Sequence, residues 1–325
     1  MTLNLDHIPY QELNRFYAEF VSGLHVSLQP LATDLRILRH EAVERHTSNI
    51  AQELYQPQYS YVPWMVAEFF DVDDALLLKI GKAWWFTIMD VVITDQAVDQ
   101  QLPDIPTISL LLQHLRRNAD RLYLQAFGSS EWFWTRYHAA IAGVWNALAH
   151  ETYCVDAHQQ AYSFEDMKHV CNSRSDLIGA IIQTMGHVSG QTRAVEPLCT
   201  FYENLTFADQ LLDDANDWKA DFSSGRYTLP IILALEVEGL SLTDARQLSL
   251  DHLQSFIDKH QILVRLSDHA AELLQGACAA LATTPLSDSY LHAVLRQRQE
   301  VTRRASRRYN TTRLMSGFLK KLEGY

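Results

Sequence analysis

An all-α fold in a single domain is what this 325-residue sequence predicts, and three observations predict it. Glycine and proline are scarce, at 12 and 9 residues, and the long segments between them carry apolar residues three and four apart, the period of amphipathic helices and not of alternating strands. Pro103, Pro106, Pro197, Pro230 and Pro285 fall where such segments would start or stop. No Ser/Gly-rich linker separates one half from the other, and 47 % hydrophobic residues suffice for one sizeable core, so residues 1–325 read as one domain.

Composition also excludes function classes. A formal charge of −12 argues against a nucleic-acid backbone as the main partner, because broad phosphate binding needs a basic face. The cysteines Cys154, Cys171, Cys199 and Cys278 are too scattered for a disulfide framework and form no CxxC pair, which suits a reducing cytoplasm. The start, MTLNLDHIPYQELNRF, has no basic stretch followed by an apolar run, and no segment reaches about 18 uninterrupted apolar residues. The expectation is therefore a cytoplasmic protein with no membrane span. Fourteen histidines show no HExxH, and no GxSxG or P-loop is present, so hydrolase and nucleotidase readings lack support.

Along the chain, "FFDVDDAL" at 69–76 places Asp71, Asp73 and Asp74 ahead of a helix that begins near residue 73, where negative charge stabilises a helix N-terminus. The segment that follows, "AWWFTIMDVVITDQAVDQ" at 83–100, is apolar nearly all round, which marks a buried helix. It ends in Asp95 and Asp99, four apart, with Asp90 one and a half turns earlier. Carboxylates there cap or solvate the helix end, or they hold a cation.

The strongest signal is "FADQLLDDANDWKADFSSGRYTLP" at 207–230. At about 100° per helical residue, Asp213, Asp217 and Asp221 form a row, with Asp209 a turn earlier and Asp214 beside it. Like charges at i,i+4 repel by a few tenths of a kcal/mol, so a bare solvated row of aspartates, themselves poor helix formers, is an expensive way to write a surface. Magnesium would offset the repulsion, since it takes oxygen ligands and is held by one or two carboxylates while substrate phosphates complete its shell. The row then stops at Gly225, Arg226 supplies a cation, and Pro230 opens the next helix.

In these residues the chain resembles the class I terpenoid synthase superfamily. "DDANDWKADFSSGRYTLP" at 213–230 is similar to the second aspartate-rich motif of trans-isoprenyl diphosphate synthases, DDxxD followed by GKxTLP, and "DQAVD" at 95–99 stands where their first DDxxD lies. The resemblance covers roughly residues 80 to 310. It implies an antiparallel helical bundle in which two acidic motifs face each other and bind three magnesium ions with an isoprenoid diphosphate. Gln96 replaces the second Asp of the first motif. The Gly-Gly-Lys-Arg segment with which chain-elongating members bind isopentenyl diphosphate has no counterpart, since "RILRHEAVERH" at 36–46 has the charge without the glycines. "SRRYN" at 306–310 looks like the Arg-Tyr pair of terpene cyclases.

The resemblance thus implies metal ligands Asp95 and Asp99 on one wall and Asp213, Asp214, Asp217 and Asp221 on the other. Arg174, Arg226, Arg308 and Tyr309 would meet the diphosphate, with Asp176 and Gly179 at a helix break the cyclases place after their Arg. Aromatic faces stabilise a carbocation by about 0.5 to 2 kcal/mol each, and Trp64, Trp85, Phe86 and Trp145, with Asp90, are the pocket candidates. The missing glycine segment and the Arg-Tyr pair point to a magnesium-dependent terpene synthase that takes one substrate, a twenty-carbon diphosphate. The alternatives are a trans-isoprenyl diphosphate synthase, a squalene or phytoene type condensing enzyme, and an inactive helical isoprenoid-binding protein. A homodimer is compatible with such a bundle.

Overall fold

The computed structural model describes residues 8–33, 57–98, 105–156 and 160–322, with side chains as far as residue 311. The helices are α1 (Tyr10–Ser22), α2 (Gln29–Thr33), α3 (Pro57–Ser60), α4 (Val62–Val66), α5 (Asp74–Val98), α6 (Ile105–Phe127), α7 (Glu131–Val155), α8 (Phe164–Ser189), α9 (Val195–Ser224), α10 (Leu229–Glu238), α11 (Leu242–Ala245), α12 (Leu250–Lys259), α13 (Ile262–Ala282) and α14 (Tyr290–Leu322). Among the described residues there is no strand, as the periodicity predicts. Asp99 and the 36–46 segment lie outside the described residues.

Local sequence sets the helix ends. Asp73 Oδ1 accepts from the backbone N–H groups of Ala75 and Leu76 at 3.0 and 3.1 Å, so the acidic triplet before α5 is a helix cap. Ser163 and Asp166 form a reciprocal capping box at the start of α8. Gly225 closes α9 with φ at +83°, a left-handed conformation that favours glycine, and Pro230 lies in the first turn of α10.

The long helices α5 to α9 follow one another through connections of three to eight residues, too short to carry the chain back along a helix, so successive members run antiparallel. α5 packs on α6, α7 on α8, α8 on α9, α9 on α13, and α13 on α14. α9 is thus flanked by α8 on one side and α13 on the other, with α10 and α12 also against it.

The apolar run of α5 is buried as read: Trp84, Trp85, Phe86, Met89 and Ile93 are all within 2 % of full burial. Gly81 is forced by packing, because a Cβ there would lie 2.0 Å from the ring of Trp64. One expectation fails. The helix break near Asp176 and Gly179 is absent; α8 runs through both positions without interruption, with Gly179 packed where its Cβ would stand 3.5 Å from the Cys199 sulfur. All four cysteines are free thiols. No described helix is long and apolar enough to cross a membrane.

Candidate active site

Three helices bring the two acidic segments together. Asp95 lies in the last turn of α5, Arg174 near the middle of α8, and Gln210 and Asp214 one turn apart on α9. The Arg174 guanidinium donates to Asp95 Oδ1 at 3.2 Å, to Glu151 Oε2 of α7 at 2.9 Å and to Gln210 Oε1 at 2.8 Å. Gln210 in turn donates through Nε2 to Asp214 Oδ1 at 2.8 Å, and the Leu229 N–H reaches Asp214 Oδ2 at 3.4 Å. One guanidinium therefore joins four helices. Burial opposes its charge, but Glu151 and Asp95 outweigh burial and hold Arg174 protonated beyond its usual range.

The aspartates of α9 differ in their surroundings. Asp213 and Asp217 are exposed, Asp209 and Asp221 half-buried, and Asp214 buried. Burial pushes the Asp214 carboxyl up to about 8 against the hydrogen bond from Gln210. Asp214 and Asp221 both receive the start of α10, since Thr228 donates through Oγ1 to Asp221 Oδ2 at 3.1 Å. Carboxylates at a helix N-terminus are favoured there by the helix dipole. Asp209 faces inward, where Tyr59 donates to its Oδ2 at 2.9 Å and Arg298 of α14 approaches to 3.3 Å.

The turn after α9 is latched to α7. The Tyr227 N–H donates to the Val155 carbonyl at 3.1 Å, and Arg226 pairs with Asp156 at 3.2 Å. On the other flank of α9, the Arg308 guanidinium donates to Asn216 Oδ1 at 2.5 Å, and Tyr309 donates to the Ala215 carbonyl at 3.1 Å and to Asn216 Oδ1 at 2.9 Å. Both residues line a cleft of about 240 Å³ with Trp218, Lys219, Gln261 and Val264.

The remaining candidates pack elsewhere. Asp90 is about 140° round the helix from Asp95 and accepts from Arg116 Nε of α6 at 2.8 and 3.0 Å. Burial pushes its carboxyl up to about 6, although Arg116 pulls the other way. Trp85 lies against Tyr17, with ring centroids 5.1 Å apart, and Phe86 against Phe16 and Phe20 of α1 at 5.2 and 4.8 Å. Trp145 lies under the Arg116 guanidinium at 4.9 Å. Sequence reasoning missed Glu151 and Gln210. Gln210 had a signal, because a glutamine four residues before an aspartate forms this hydrogen bond on a helix face.

The residues of the two walls fit magnesium. They offer carboxylate oxygens without histidine or cysteine, and Asp95, Asp213 and Asp217 are accessible. Among the described residues no three His, Cys, Asp or Glu side chains stand as a ready-made metal cage.

No family model and no curated protein matches the sequence. Solved structures do. The chain is similar to geranylgeranyl pyrophosphate synthase from Corynebacterium glutamicum at a TM-score of 0.66 and 17 % identity over 90 % of each chain. It is similar to decaprenyl diphosphate synthase from Rhodobacter capsulatus at 0.63 and 16 %, over 93 % of this chain and 99 % of that one. A third structure, the Corynebacterium glutamicum geranylgeranyl pyrophosphate synthase complexed with isoprenyl diphosphate and magnesium, matches at 0.57 and 14 %, over 94 % and 99 %. At these identities the likeness defines the fold: the chain has the all-helical class I terpenoid synthase-like fold.

Proposed function

We propose that the protein is a magnesium-dependent enzyme that ionises an isoprenoid diphosphate where α5, α8 and α9 meet. The observation that carries this reading is Arg174, held between Asp95 of one acidic segment and the Gln210–Asp214 pair of the other. Heterolysis of the carbon–oxygen bond sends its electron pair onto the diphosphate, so the site must stabilise growing negative charge on those oxygens. Magnesium, when bound, supplies part of that stabilisation electrostatically. Asp95 and Asp99 would hold it from the first acidic segment, and Asp213 and Asp217 from α9, with Asp214 and Asp221 behind them at the start of α10. Arg174, Arg226, Arg308 and Tyr309 would donate to the diphosphate. Trp64, Trp85, Phe86 and Trp145, taken from the sequence as aromatic candidates for the hydrocarbon end, are packed on Gly81, on α1 and under Arg116, so none of them is assigned to it.

Two fates of the allylic fragment follow. Condensation with a second isoprenoid, as in a trans-isoprenyl diphosphate synthase, is supported by the named synthases of the same fold and by the unbroken α8. Release as a terpene from one twenty-carbon substrate is supported by the absence of a Gly-Gly-Lys-Arg segment and by the Arg308–Tyr309 pair on Asn216. We rank condensation first.

The test is incubation of purified protein with magnesium and geranyl, farnesyl or geranylgeranyl diphosphate, each with and without isopentenyl diphosphate. A longer prenyl diphosphate, seen only with isopentenyl diphosphate, is the expected product. A hydrocarbon or terpene alcohol from one diphosphate alone would establish the one-substrate enzyme. No turnover of any of them, with magnesium present, would leave an isoprenoid-binding bundle.

A further inference from the structure

Charge sets α14 apart from the rest of the molecule. Nine of the chain's 27 lysines and arginines fall between Tyr290 and Leu322, against the single carboxylate of Glu300, in a protein whose formal charge is −12. A basic helix on an acidic chain marks an interaction surface. The helix packs on α13 and touches α4, and its far side carries Arg296, Arg303, Arg304 and Arg307, all exposed and within about 100° of one another by helical period. Glu300 is shared between Arg303 and Arg304, at 3.1 and 2.8 Å, and Arg296 meets Asp288 at 3.3 Å. Arg298 and Arg308 turn instead to Asp209 and Asn216 of α9. Carried on at the same period, the register of Arg303 and Arg307 meets Leu314, Met315, Phe318 and Leu322 of "LMSGFLKKL", the last nine residues of α14. The sequence of the helix thus passes from basic to apolar along one register.

We propose that the outer face of α14 docks on an anionic lipid surface, with its arginines on the headgroups and its apolar end at the acyl boundary. The two halves of the pattern select this partner together. Arginines alone would suit any polyanion, but leucines and a phenylalanine on the same register gain nothing from a nucleic-acid backbone, whereas a helix lying in a lipid interface uses both. Attraction of this kind acts within about 10 Å at 0.1 M salt, so the local patch, and not the net charge of the chain, decides contact. No described helix is long and apolar enough to cross a bilayer, so the attachment is peripheral and reversible. The inference does not rest on the diphosphate-binding reading above.

The experiment is co-sedimentation of the full chain with vesicles of phosphatidylcholine alone, or of phosphatidylcholine mixed equally with phosphatidylglycerol, at low and high salt. It is run on the wild type and on a triple variant carrying Arg303→Gln, Arg304→Gln and Arg307→Gln. The wild type should pellet with the mixed vesicles, stay in solution with the neutral ones, and be released as salt rises to about 0.5 M. The triple variant should bind the mixed vesicles about a hundredfold more weakly while melting at the wild-type temperature, since all three positions are exposed. Equal sedimentation with both vesicle types, or none with either, overturns the proposal. So does a triple variant that keeps the wild-type affinity. Tighter binding to a short DNA duplex than to the mixed vesicles, at the same salt, would assign the face to nucleic acid and overturn it as well. Should the triple variant not fold, the wild type's response to lipid composition and salt still decides.

Discussion

The two acidic walls are both aspartates on long helices, yet they are held in different ways. Asp95 of α5 is balanced by a side chain from another helix, Arg174 of α8. Of the α9 aspartates, Asp214 and Asp221 are tied to the N-terminus of α10, where negative charge is favoured. The first wall is held by an ion pair between side chains, and the second is braced by the start of the next helix.

The comparison breaks most visibly if the exposed carboxylates prove idle. Asp95→Ala and Asp213→Ala should each lower turnover by about three orders of magnitude, while the denaturation midpoint of Asp213→Ala, an exposed position, stays close to that of the wild type, as for most surface substitutions. Unchanged turnover in both would remove the metal assignment. Next in size is Arg174→Gln, which takes away the fork shared by Asp95, Glu151 and Gln210. It should cost about a hundredfold in rate, and Arg174→Lys should recover only part, since a point charge cannot serve three acceptors in the same geometry.

Asp214→Ala tests the bracing. It leaves the Gln210 amide and the Leu229 N–H buried without an acceptor, at about 1 to 3 kcal/mol each. Chemical denaturation should therefore move strongly for Asp214→Ala and hardly at all for Asp213→Ala; equal shifts would erase the distinction within the row. Arg308→Ala, whose guanidinium is exposed on Asn216, should reduce the rate by about tenfold through weaker diphosphate binding. If rate and affinity are unaltered, Arg308 belongs to the solvated face of α14.

The smallest effect concerns Asp90, the α5 carboxylate on the face away from Asp95. Its folded value of about 6 lies above that of an unfolded carboxyl, so the folded protein keeps a proton that the unfolded chain releases. The stability this group contributes is complete below the unfolded carboxyl range and is lost as pH rises through about 6. Melting temperatures of Asp90→Asn between pH 4 and 7 should slope less steeply downward than those of the wild type. Parallel slopes would mean Arg116 keeps Asp90 ionised throughout.

Much of the fold was legible because local rules decide it. The all-round apolar run announced a buried α5, Asp73 announced its cap, and Gly225 with Pro230 announced the α9–α10 junction. The site was legible only as a set of candidates. That Arg174 reaches Asp95 spans 79 positions of sequence and depends on how α5, α7, α8 and α9 are laid together, which no helical period encodes. Glu151 had no signal at all, being one carboxylate in "ALAHETYC". The identity of the braced aspartate was likewise hidden, since Asp213 and Asp214 are neighbours in sequence and their separation into exposed and buried follows only from where α10 begins.

On the function proposed above, the Arg174 junction also sets an order of arrival. Around one guanidinium stand Asp95 and Glu151, with Asp213 and Asp217 exposed beyond, so a bare polyanion drifting toward this end of the bundle meets a repelling field. Productive encounters belong to substrate that comes already paired with its counter-cation or finds one waiting. Capture is then governed by the concentration of that neutralised species, and total substrate is the wrong axis on which to plot the rate.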